Sequence, residues 1–310
     1  MTCSPMLVGE AVPGTGYRPP FVDAALAVDV GGTKLAVGRV DAAGRLTDRR
    51  SATTPAHGAA EALWAKLADL VSEVRRGDEV VVGVGCGGPM EPDGTSVSPL
   101  NIPAWTGFPL RGRLADVTGL PVHVDNDAKA LALGEGWVGA ARGSRDFLAM
   151  VVSTGVGGGI VLDGRLLDGA AGNAGHVGHV IVVPAGRLCA CGARGCLEAE
   201  ASGTSIRAVT GLDPAAVDDD VRRRTGTLVG LAVASVVNLL DLRLAVVAGS
   251  VALGYGDTFF AAAQAELDAR ARIEFARGAR IVPAGLGDAG PLVGAAAVGW
   301  RGEGHDVGVA

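Results

Sequence analysis

The stretch Ala25-Leu26-Ala27-Val28-Asp29-Val30-Gly31-Gly32-Thr33-Lys34-Leu35-Ala36-Val37-Gly38-Arg39-Val40 decides the fold. An apolar run broken only by Asp29 reads as a buried strand over Ala25 to Val30. Two glycines then turn the chain, and Leu35 to Val40 reads as a second strand. Leu46 to Ser51 reads as a third, after a turn at Asp41 to Gly44, so an antiparallel meander is expected. The pattern restarts further on. Phe147 to Ser153 reads as a strand, Thr154 to Gly159 as a glycine turn and Ile160 to Leu162 as another strand, followed by a hairpin signal at Asp163-Gly164. A strand–glycine turn–strand unit thus occurs twice. Two similar halves predict a cleft that grips one ligand from both sides.

Between and after these units the chain alternates strands with helices. Helices are expected at Ala59 to Arg75, Leu110 to Thr118, Asp127 to Val138, through most of residues 197–240, at Tyr255 to Arg270 and at Pro291 to Trp300. Strands are expected at Glu79 to Val84, Val122 to Val124, Val180 to Val183, Leu244 to Val247 and Arg280 to Val282. This is an α/β chain of two domains. Residues 1–22, irregular and containing Pro and Gly, read as a flexible tail. Residues 23–125 form an N-terminal α/β domain, to which a helix at about 290–302 returns. Residues 126–289 form a C-terminal α/β domain.

The 310 residues are 48% apolar and only 4% aromatic, so small side chains and 49 glycines must build the cores. The net charge is −6 and no basic run exceeds Arg222-Arg223-Arg224, which argues against nucleic acid as a partner. An anionic small molecule needs only a local positive site. The longest apolar stretch, Thr227 to Leu240, is too short to span a bilayer and reads as a buried core helix, so no membrane partner is expected. Met1 to Asp23 lacks a basic start followed by an apolar run, and a cytoplasmic location is expected.

The second informative stretch is His179…Cys189-Ala190-Cys191…Cys196. Three thiols and an imidazole in this spacing supply the four ligands of a closed tetrahedral zinc site. A disulfide with a spare thiol is the competing reading, but adjacent C-x-C geometry is poor for a bridge and a reducing compartment disfavours one. Glu198 follows two residues later, so the metal loop would aim it elsewhere.

Asp29 to Lys34 lies at a strand end. Its glycines let backbone N–H groups approach phosphate oxygens, Thr33 and Lys34 add a hydroxyl and a cation, and Asp29 is placed to hold Mg²⁺ directly or through water. A tight hairpin with a salt-bridged lysine is the plainer alternative. Asp125-Asn126-Asp127 opens a helix just after a strand. Capping accounts for one of these residues. A functional reading gives Asn126 a substrate hydroxyl and Asp127 that hydroxyl's proton.

The segments DVGGTK, VDNDAKA, STGVGGG and GHVGH…CACGARGCLEAEASG, in this order and spacing, resemble the ROK family of repressors, unassigned reading frames and sugar kinases. The resemblance spans about residues 24–302. It implies the actin/hexokinase-like (ribonuclease H-like) two-domain fold with an interdomain cleft. It also implies ATP-dependent phosphorylation of a hexose or N-acetylhexosamine, usually at O6, with a structural Zn²⁺, Mg²⁺ accompanying ATP, and a homodimer or homotetramer.

By this resemblance Asp127 is the general base, and Asn126, Gly88, Asn101, His179 and Glu198 contact sugar, His179 also ligating zinc with Cys189, Cys191 and Cys196. Gly31, Gly32, Thr33 and Lys34 form the first phosphate loop, Thr154 and Gly155 the second, and Gly249 lies where adenosine binds. Relatives with kinase activity usually read G-E-x-G-H before the metal loop. This chain has Gly175-His176-Val177-Gly178-His179, so His176 stands in the sugar pocket where a carboxylate is usual, or takes the place of His179 at the metal. Neutral imidazole accepts one hydrogen bond and donates one, which would alter sugar preference. Two alternatives remain: a sugar-binding protein without catalysis, against which Asp29, Thr33 and Asp127 argue, and a sugar-responsive regulator, for which residues 1–22 are too short to supply a DNA-binding helix-turn-helix.

Overall fold

The computed structural model describes residues 23–54 and 59–310. The expected tail at residues 1–22 lies outside the described residues. Strands β1 (Ala24–Val30), β2 (Lys34–Asp41) and β3 (Leu46–Thr53) form the expected antiparallel meander. Helix α1 (Ala60–Val74) leads to β4 (Glu79–Cys86), which pairs parallel with β1. Helix α2 (Leu110–Thr118) leads to β5 (Val122–Asn126), which pairs parallel with β4. After helix α3 (Asp127–Val138) the arrangement repeats with β6 (Phe147–Val152), β7 (Val156–Leu162) and β8 (Arg165–Leu166). Helices α4 (Leu197–Ala201), α5 (Gly203–Thr210) and α6 (Asp219–Leu240) precede β9 (Leu244–Ala248). Helix α7 (Ser250–Arg270), β10 (Arg280–Pro283) and helix α8 (Gly290–Gly302) complete the chain. The two sheets run β3-β2-β1-β4-β5 and β8-β7-β6-β9-β10. They share one topology, three antiparallel strands and then two parallel ones.

These elements stack in five layers. Helices α1 and α2 cover the outer face of the first sheet, α3 and α8 fill the space between the sheets, and α7 covers the second sheet with α6 against it. The middle layer explains the composition. Helix α3 is buried from Ala128 to Gly136 and α8 from Leu292 to Trp300, nearly all round, as apolar helices between two sheets must be. Ala25, Ala27 and Val81 of the first sheet and Phe147, Ala149, Val161 and Val246 of the second join Ala130, Ala132, Ala295, Ala296 and Ala297 in one continuous core. Fully buried Glu135 accepts N–H bonds from Ala140, Gly285 and Leu286, which ties the end of α3 to the approach to α8.

Three expectations change. The glycines after Thr154 do not all belong to a turn, because β7 begins at Val156. Gly157 and Gly159 lie in the strand beneath α3. A Cβ on Gly157 would come 3.1 Å from the Ala128 Cβ, and one on Gly159 would come 2.8 Å from the Ala132 Cβ and 2.9 Å from the Ala128 carbonyl oxygen. The glycines there serve close packing. Val180 to Val183 makes no strand. Its Val182 and Val183 N–H groups both go to the Gly195 carbonyl, only Ile181 bridges to Cys196, and Pro184 prevents continuation. Helix α7 starts at Ser250 rather than Tyr255 and is interrupted at Gly256.

Gly159→Ala should destabilise the fold by about 1–3 kcal/mol, the usual result of overpacking. It should lower turnover further, since the lifted helix begins at Asp127. Thermal denaturation and activity measured together would check this, and an unchanged melting temperature would show that α3 has room to spare.

Candidate active site

The cleft lies where carboxyl ends of strands from both sheets meet, the usual ligand position in α/β folds. Strand β1 delivers Asp29 and the turn after it delivers Gly31, Gly32 and Thr33. The segment after β4 brings Gly88, the end of β5 brings Asn126, and α3 begins with Asp127. From the other half come Ser153, Thr154 and Gly155 at the β6–β7 turn, with His176, His179 and Glu198 closing one end. A second cavity shares Thr33, Ser153 and Thr154 with the first and extends past Thr204, Arg207 and Ser250. The two measure about 300 and 430 Å³, in the range of small-ligand sites.

Each side chain is held for a local reason. Asn126 caps α3, its Oδ1 accepting the Ala128 N–H at 3.0 Å. The cap pins that oxygen and leaves the amide nitrogen for a ligand. Asp127 Oδ1 also accepts the Ala128 N–H, at 2.8 Å. The capping and functional readings of this triplet therefore hold together. Asn101 packs on Gly32, where a Cβ would lie 2.5 Å from its own Cβ. Its segment is anchored by Trp105, which is fully buried, stacks on Phe108 at 4.4 Å and donates its indole N–H to the Ala60 carbonyl. Glu198 Oε2 accepts the Val156 N–H at 3.0 Å.

Among the carboxylates that line the cleft, electrostatics single out two. The Asp29 pKa rises from 3.8 to about 7, because burial strips its hydration and Asp127 adds like charge, while Lys34 works against both. Asp127 is exposed to the cleft, yet it sits deep within the protein mass on either side. The loss of hydration among the surrounding protein atoms raises its pKa, partly offset by the Ala128 N–H and by His176. Two deep-set, poorly compensated carboxylates suit a site that receives a cation or a proton.

His179, Cys189, Cys191 and Cys196 bring their ligand atoms within 4.8 Å of one another, the expected Cys₃His cluster. His176 is not among them. Cys189 Sγ lies 3.8 Å from His179 Nδ1 and Cys191 Sγ lies 3.7 Å from Cys196 Sγ. A tetrahedron with bonds of about 2.3 Å has edges of about 3.8 Å, so the donor set fits zinc. With Nδ1 turned to the thiols, the other ring nitrogen of His179 is left for the cleft. The loop is fastened by buried Glu200, which accepts the Arg187 N–H and pairs with the guanidinium groups of Arg187 and Arg224.

Most expected site residues line the first cavity. Two do not. Lys34 is exposed and acts on Asp29 only through its charge. Gly249 sits just before Ser250 and Val251, which do line the second cavity. Sequence reasoning missed Ser153, Thr204, Arg207 and Ser250. The cap at Ser202, whose hydroxyl accepts the Ser205 N–H, was the available signal for the first turn of α5.

The sequence signature of the ROK family matches residues 25–300. The chain belongs to the ROK family. It is 39% identical to an N-acetylmannosamine kinase of Citrobacter koseri over 246 residues, 74% of this chain and 84% of that protein. It is 42% identical to a glucokinase of Thermotoga maritima over 185 residues, 59% of this chain and 58% of that one. Among solved structures it superposes on the ROK family glucokinase of Streptomyces griseus, determined with glucose and AMPPNP, with a TM-score of 0.78 and 30% identity over 90% of this chain and 99% of that one. The actin/hexokinase-like architecture expected from the sequence is thus the one adopted. No described helix is long and apolar enough to cross a membrane.

The raised Asp29 pKa fixes a pH dependence. A carboxyl whose folded pKa exceeds its unfolded value holds its proton more tightly when folded, so protonation adds stability as pH falls from about 7 towards 3.8, and that stability is lost as pH rises through about 7. At about pH 8 without Mg²⁺, Asp29→Asn should therefore melt above the wild type, and the gap should shrink towards about pH 5. An equal gap at both pH values in matched thermal melts would show that the carboxyl is ionised throughout.

Proposed function

We propose that this sugar kinase transfers the γ-phosphoryl group of ATP to the O6 hydroxyl of a hexose or N-acetylhexosamine, with Asp127 as the general base. The position of Asp127 carries this reading. It lines one cavity together with the Gly31–Thr33 turn, the Ser153–Gly155 turn and the side chains of His176, His179 and Glu198. A sugar seated against those side chains presents its hydroxyl to Asp127. The carboxylate takes the hydroxyl proton while the oxygen bonds to phosphorus and the bond to the ADP oxygen breaks. A base with a raised pKa matches proton transfer near neutral pH.

Backbone N–H groups at Gly32 and Gly155 and the hydroxyls of Thr33 and Thr154 would orient phosphate oxygens, while Gly31, whose N–H goes to the Lys34 carbonyl at 3.0 Å, would shape the turn. Asp29 would hold the Mg²⁺ that accompanies ATP, directly or through water, and that ion supplies charge neutralisation. The second cavity would take the nucleoside. Glu198, the free nitrogen of His179, Asn126, Asn101 and Gly88 would bind sugar hydroxyls. His176 would set which sugar is preferred.

Zinc in the Cys₃His cluster would be structural, ordering the loop that carries His179 and Glu198. Removing it should lower activity and melting temperature together, with about one zinc per chain found in the native protein by metal analysis. Full activity in a metal-free preparation would remove that role.

Asp127→Asn should cut turnover by about 10³-fold or more while sugar binding by calorimetry is largely kept, since the amide keeps the shape and loses the base. Phosphorylation at the wild-type rate would show that another group takes the proton.

A further inference from the structure

Lys129 stands two residues beyond the proposed base, and its side chain is only 5% exposed. A buried ammonium is costly unless its donors find acceptors. Its three partners come from two places. Asp125 Oδ1 lies 3.2 Å away, at the end of β5, and the same oxygen accepts the Asn126 N–H at 2.8 Å. Asp168 Oδ1, at 2.5 Å, and the Gly172 carbonyl, at 3.4 Å, belong to the loop that follows β8. That loop closes on itself through the Ala174 N–H to the Asp168 carbonyl and then delivers Gly175 and His176 to the cleft. A Cβ on Gly175 would lie 2.4 Å from the Gly158 carbonyl oxygen, so the loop end is seated directly on β7.

We propose that Lys129 is a positioning residue for the sugar, clamping loop 167–176 to the Asp125–Asn126–Asp127 turn and so fixing the separation of His176 from Asp127. The proposal rests on the reading of this end of the cleft as the sugar site. Asp168 is 56% exposed and needs no partner to stay hydrated. Its bond to Lys129 therefore orders the loop more than it relieves a buried charge on the loop side. The cost of losing it falls on the loop and on what the loop presents, and the phosphate end of the cleft is spared.

Two variants test this. Lys129→Met removes the post, and Asp168→Ala removes the loop's charged partner at a solvent-facing position while Asp125 stays paired with Lys129. Both should raise the sugar KM about tenfold, because displacements near 1 Å in a positioned site are costly, and leave the ATP KM unchanged. Amide exchange at Ala174 and Val177 should accelerate in both. The double variant should be no worse in sugar KM than Lys129→Met, since both changes remove one contact. A lower melting temperature in Asp168→Ala with unchanged sugar KM and exchange would overturn the proposal, as would equal rises in both KM values. If the wild type phosphorylates no sugar, the functional reading falls, and exchange protection of the loop decides the clamp by itself. Unaltered protection in Asp168→Ala would then overturn it.

Discussion

The structure depends on how near α3 can lie to the second sheet. Glycines at 157 and 159 face Ala128 and Ala132, and nothing larger than a methyl group separates strand from helix there. The short distance brings the first turn of α3 level with the ends of β1 and β5. Asp127, Asn126 and Asp29 converge for that reason. The alanine- and glycine-rich composition is thus the geometric condition for a helix layer thin enough to be shared by two sheets.

Glu200 and the two cleft carboxylates are held in opposite ways. Burial pushes Glu200 up, but the Arg187 N–H and the guanidinium groups of Arg224 and Arg187 outweigh it, and its pKa ends below the ordinary value. Its charge is spent within the fold, holding the metal loop against α6. Asp29 and Asp127 have no such satisfaction. Burial dominates and both are raised. Asp125 is also raised by burial but is paired with Lys129, so what marks Asp29 and Asp127 is a raised value at the cleft without a paired cation.

Much of this was legible in the sequence because the signals are local. The meander at residues 24–53, its recurrence after Phe147 and the Cys₃His spacing each lie within a few tens of residues. They reflect period, turn chemistry and ligand geometry. The failures have long-range causes. The β7 glycines look like a phosphate turn until α3 is laid across them. Val180 to Val183 has a strand's composition but is claimed by the Gly195 carbonyl and stopped by Pro184. Lys129 reads as an ordinary helical lysine, and its partner Asp168 lies 39 residues away, beyond any periodicity. The second cavity is assembled from α5, the β6–β7 turn and the start of α7, and no single segment announces it.

The continuous core between the sheets has a consequence for how the molecule is built and lost. Two halves with the same strand order look like modules that a gene fusion joined and that an experimenter might take apart. They are not separable. Severing the chain at Asn126 would strip both α3 and α8 from the first sheet, and each fragment would present a broad naked face of methyl groups to water. Folding is therefore expected to be a single cooperative event in which neither lobe precedes the other to completion.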